Sequence, residues 1–75
     1  MSVMVKKVYA MVHSLKKQAE CEIVAESDYN NVLAKYNGTY CTAIFNPFVG
    51  MYYVDDVYGV LTEVQAKQYY NKIMG

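Results

Sequence analysis

At 75 residues the chain is one domain, short enough to bury only about 60% of the surface its unfolded form exposes, which leaves no room for a second domain or a deep cleft. Hydrophobic residues make up 55% of it and charged residues 19%, a balance that folds rather than staying disordered. Seven basic and seven acidic side chains cancel, so the electrostatic footprint of a duplex nucleic-acid binder is missing and nothing repels a second copy.

From Met4 to Ala19 the apolar residues Met4, Val5, Val8, Tyr9, Met11, Val12, Leu15 and Ala19 gather on one side of a helical wheel. Lys6, Lys7, His13, Ser14, Lys17 and Gln18 fill the other side, and His13 falls on that polar face. The pattern predicts an N-terminal helix, although the valines and Tyr9 prefer strands and "KVYAMVHSL" also reads as an edge strand. Its apolar stretch "VYAMV" ends at His13, too short for the hydrophobic region of a signal peptide. The longest apolar run, Phe48 to Val54, is too short to span a bilayer. A cytoplasmic protein with no membrane partner is expected.

"CEIVAESDYN" reads either as the end of that helix or as a short strand through Ile23, Val24 and Ala25. Asn37-Gly38 then lies between two β-prone segments, a strong hairpin signal because both turn positions need positive φ. Pairing across it puts Val32, Ala34 and Tyr36 on one face with Cys41, Ala43 and Phe45. A second turn at "NPFVG" leads into a third strand, "MYYVDDVYGVL". Thr62 and Gln65 form a capping box, and Ala66, Tyr69, Tyr70 and Ile73 recur at helical spacing, which predicts a helix over 63–74. The expected architecture is α+β: an N-terminal helix, a three-stranded antiparallel meander and a C-terminal helix, in two layers. Six of the nine tyrosines lie in or beside that meander, more than a one-sided core absorbs, so some face solvent or a partner.

Tyr53-Val54-Asp55-Asp56 repeats the spelling of a reverse-transcriptase metal hairpin. A polymerase site of that kind pairs the two carboxylates with a third aspartate inside a large palm, and the only other aspartate here is Asp28, so a polar strand end or turn is the better reading. One histidine and two distant cysteines show no metal-ligand spacing, and no cofactor is expected. Nothing orients His13 against Cys21 or Cys41, which read as free thiols in a reducing compartment. No enzyme and no small-molecule substrate are expected. A tyrosine-rich sheet is also a stacking platform for single-stranded nucleic acid, but that mode adds a basic groove, and this region carries Lys35 against Asp55 and Asp56. Nucleic acid is therefore the weaker alternative.

"YNGTYCTAIFNPFVGMYYVDDVYGVL" resembles short accessory proteins carried by bacterial conjugative elements and prophages, a likeness that covers residues 32–61. Small accessory proteins of such elements often resemble anti-CRISPR or antirestriction proteins in size. The resemblance implies stoichiometric binding to a host defence protein; a DNA mimic would be far more acidic, so inhibition would come from occlusion or blocked assembly. The expected function is thus a non-enzymatic protein-interaction module, with Tyr40, Tyr52, Tyr53, Asp55, Asp56 and Tyr58 as partner-binding residues. The expected partner is a protein, with homodimerisation expected as well. A purely structural homodimer is a further alternative.

Overall fold

The computed structural model describes residues 5–75. Five strands, β1 (Lys6–Val12), β2 (Lys17–Asp28), β3 (Asn31–Tyr36), β4 (Thr39–Asn46) and β5 (Met51–Leu61), precede one helix, α1 (Glu63–Met74). The strands follow one another as antiparallel neighbours and close into a barrel where β5 meets β1 in parallel. This corrects the two-layer expectation: the described residues hold five strands instead of three, and a barrel instead of an open sheet.

The expected N-terminal helix is instead β1, a turn at 13–16 and the start of β2; its first residue, Met4, lies outside the described residues. In β1, Val8, Ala10 and Val12 face the barrel interior while Tyr9 and Met11 stand outside. Apolar side chains on both parities fill a helical wheel as readily as a strand, and the β preference of the valines prevails once β2 supplies seven paired positions. The turn has no glycine, proline or asparagine. Lys16 takes the left-handed conformation (φ 54°), and the Val12 carbonyl accepts the Leu15 and Lys16 N–H groups at 3.2 and 2.9 Å. His13 accordingly sits in a turn, not on the polar face of a helix.

The Asn37-Gly38 hairpin forms as its sequence indicates, with φ of 51° and 79°, both in the left-handed region that a tight two-residue turn requires. Ala34 pairs with Cys41 and Val32 with Ala43, so the expected common face is the barrel interior. That interior is built of small residues: Ala10, Ala34, Ala43, Cys21 and Cys41 sit with Val12, Ile23, Val32, Tyr52 and Val54. A five-stranded barrel is narrow, and larger side chains at those positions would not fit.

A second core lies outside the barrel wall. The register of β2 against β3 slips between Ile23 and Ala25, and a slip of that kind moves following residues to the other face. Ala25 therefore points outward, as Leu33 does by alternating with inward Val32 and Ala34, and both pack against Ala66 and Ile73 of α1. The helix begins as predicted: the Thr62 hydroxyl accepts the Gln65 N–H at 3.1 Å, and the Gln65 side chain accepts the Thr62 N–H at 2.9 Å. It packs chiefly over β2 and β3 and also meets β4 and β5, where Tyr40 and Leu61 join this second core.

Candidate functional site

β5 departs from a regular strand just after Tyr53-Val54. Thr42 pairs with Asp55, yet the preceding residue of β4, Cys41, pairs with Val60, so residues 56–59 have no partners on β4. Gly59 makes this wide bulge possible: a Cβ there would collide with the Thr42 hydroxyl and lie 2.7 Å from the Asp55 carbonyl oxygen. The bulge throws Tyr58 out to 86% exposure, with Val57 and Val60 also exposed.

Both aspartates of the "YYVDD" stretch hold this feature in place. Asp55 Oδ1 accepts the backbone N–H groups of Val57 and Tyr58 at 3.1 and 2.9 Å and meets His13 Nδ1 at 3.3 Å. Asp56 reaches the same turn, where Oδ1 accepts the Ser14 N–H at 2.8 Å and Oδ2 accepts the Ser14 hydroxyl. The two carboxylates thus clasp the 13–16 turn to the bulge. They do so where the barrel is least connected, since β1 and β5 share only the pairs Met11–Tyr53 and Val12–Val54, extended by the His13 N–H to the Val54 carbonyl at 3.0 Å.

The charges respond to this geometry. Hydrogen bonding from the Tyr58 amide, then from Val57 and His13, holds the Asp55 carboxyl below the usual carboxylate range, outweighing burial. Burial works to raise Asp56, yet the Ser14 hydroxyl and amide bring it below that range as well. The His13 ring lies 6.0 Å from the Tyr58 ring, tilted at 57°.

The remaining predicted residues go to different places. Tyr52 is buried at the opposite end of the barrel, donating its hydroxyl to Glu26 at 2.7 Å, with its ring 4.7 Å from that of Phe45 and 5.3 Å from the Lys6 ammonium. Burial and that hydrogen bond push its phenol up. Tyr40 is half-buried near α1, with the Lys35 ammonium 5.0 Å above its ring. Tyr53 faces outward between Met11 and Ile44, its partners on the flanking strands. Met11, Ile44 and Tyr53 floor a groove of about 610 Å³ that is bounded by Lys16 and His13 at one end and by Asn30 and Tyr69 on the side of the helix.

Composition alone pointed to the tyrosines but not to His13, Ser14, Met11 or Ile44, which become neighbours of β5 only when the barrel closes. A glycine inside a strand pattern, Gly59, was the available sign of the bulge. Among the described residues no group of three or more His, Cys, Asp or Glu side chains is placed to hold a metal ion. No helix among them is long and apolar enough to cross a membrane. Comparison with protein families, with curated proteins and with solved structures finds no match to this chain.

Proposed function

We propose that this chain is a non-enzymatic protein-interaction module that acts by stoichiometric binding, with Tyr58 as its anchor. The observation that carries the reading is an aromatic side chain exposed to 86% on a bulge whose backbone is held by two carboxylates. A rigidly presented tyrosine loses little entropy on binding and buries a large amphipathic ring, which is why tyrosine dominates binding hot spots. Asp55 and Asp56 then serve recognition by positioning Tyr58, and exposed Val57 and Val60, next to it in the chain, add apolar surface.

The setting we infer is the bacterial cytoplasm, with a host protein as partner, as the resemblance to accessory proteins of mobile elements implies. Free, buried Cys21 and Cys41 suit a reducing compartment: burial pushes both thiols up, Cys41 to about 11, so neither is a ready nucleophile. The test is capture from a bacterial host lysate by the wild-type chain and by Tyr58→Ala, with circular dichroism to check the fold. A protein held by the wild type and reduced about tenfold by the substitution supports the reading. Equal capture by both chains, or no specific capture by either, overturns it.

A further inference from the structure

The most exposed aromatic among the described residues lies at the other end of the barrel. Phe48, at the tip of the β4–β5 turn, is 97% exposed, and Val49 beside it is 58% exposed. The turn is well fixed: Asn46 Oδ1 accepts the Phe48 N–H at 2.9 Å, the Asn46 carbonyl accepts the Gly50 N–H at 2.8 Å, and Gly50 takes a φ of +68°. An apolar knob on a rigid turn gains free energy when a partner removes it from water. The same hairpin holds its complement, since Ile44 and Tyr53, two residues inward from Asn46 and Met51, floor the bare groove.

We propose that two copies of the chain pair about a two-fold axis, with the Phe48 turn of each seated in the Met11–Ile44–Tyr53–Tyr69 groove of the other. Knob and groove lie within about 15 Å of each other along one hairpin, so an axis between them brings each knob over the other copy's groove in an isologous contact. Size permits it: an apolar cavity of about 150 Å³ already accepts a benzene ring, and the groove offers about 610 Å³. Charge favours it too. Lys16 stands at one end of the groove and Asp28 beside the β2–β3 turn, at the barrel end that also carries the Phe48 turn, as the bond from the Phe45 N–H to the Tyr29 carbonyl shows; neither makes an ion pair among the described residues. The two-fold arrangement runs the copies antiparallel and brings Lys16 of each towards Asp28 of the other. The zero net charge of the chain adds no long-range repulsion. This contact leaves Tyr58 outside the groove and stands or falls separately from host-protein binding.

Sedimentation across a concentration series tests it. The wild type is expected to move from 8.6 kDa to twice that mass as concentration rises, and Phe48→Ala to weaken association about tenfold or more. Lys16→Asp or Asp28→Lys alone should weaken it about threefold, and the two together should restore it. Tyr58→Ala should leave the dimer intact while removing host-protein capture. A wild type that stays at 8.6 kDa throughout, a Phe48→Ala variant that associates as the wild type does, or a double charge swap weaker than either single one overturns the proposal.

Discussion

The β3–β4 hairpin and the β1–β5 seam belong to the same barrel but are held by different means. The hairpin is local: five residue pairs close around an Asn-Gly turn, and backbone bonding sets the register. At the seam, segments more than forty residues apart share two pairs and complete the closure with carboxylates, Asp55 to His13 and Asp56 to Ser14. Bringing distant segments together costs loop-closure entropy that a hairpin largely avoids. The lesson is that side-chain hydrogen bonds hold this barrel where its backbone ladder is shortest, and one of the carboxylates that make them, Asp55, also accepts the amide of the residue we propose for binding.

The contrast breaks most sharply at Gly59. Gly59→Ala forces a Cβ against the Asp55 carbonyl and the Thr42 hydroxyl; we expect a loss of about 2–3 kcal/mol in denaturant unfolding and faster amide exchange at the seam than in the hairpin. Asp55→Ala removes the acceptor of two bulge amides and the partner of His13. Because the Asp55 side chain is 39% exposed and water replaces part of what is lost, the expected cost is about 1 kcal/mol. Host-protein capture should fall further than that stability loss explains, since Tyr58 loses its brace.

An acid titration sharpens the comparison. Both aspartates have folded-state values below their unfolded ones, so their stabilisation is present above the unfolded value of about 4 and is lost as pH falls through the folded values. Unfolding measured across that range should show a shallower loss for an Asp55→Asn, Asp56→Asn double variant than for the wild type. An equal slope in both proteins would remove the clasp from the account of acid sensitivity. The smallest effect is expected on the local side. Gly38→Ala meets nothing within 4 Å but strains a φ of +79°, for a loss of about 1 kcal/mol confined to the hairpin.

Legibility in the sequence followed the same division. The turn at Asn37-Gly38, the shared face of Val32, Ala34, Cys41 and Ala43, and the helix over 63–74 with its Thr62–Gln65 box are all encoded within a few neighbouring residues. β1 was masked because Tyr9 and Met11 put apolar side chains on its outer face, imitating a helical stripe. The 13–16 turn was silent because Lys16, not glycine or asparagine, takes its left-handed position. At the candidate site, the tyrosine density was visible, but exposure was not: Tyr52 is buried and Tyr58 is almost bare, although both sit on one strand.

By itself, then, the sequence determined what short-range chemistry controls: turn residues, a capped helix, the parity of the hairpin, and a neutral apolar composition. Closure of the barrel depended on the tertiary structure, because it joins β1 to β5 across most of the chain, and no local pattern carries that information. The bulge followed from closure, since it needs Gly59 against Thr42 and Asp55 on one side and the 13–16 turn on the other. "YYVDD" spelled two carboxylates next to two tyrosines. Only the fold decided that the carboxylates grip a distant turn, that one tyrosine fills the core, and that the other lines an open groove.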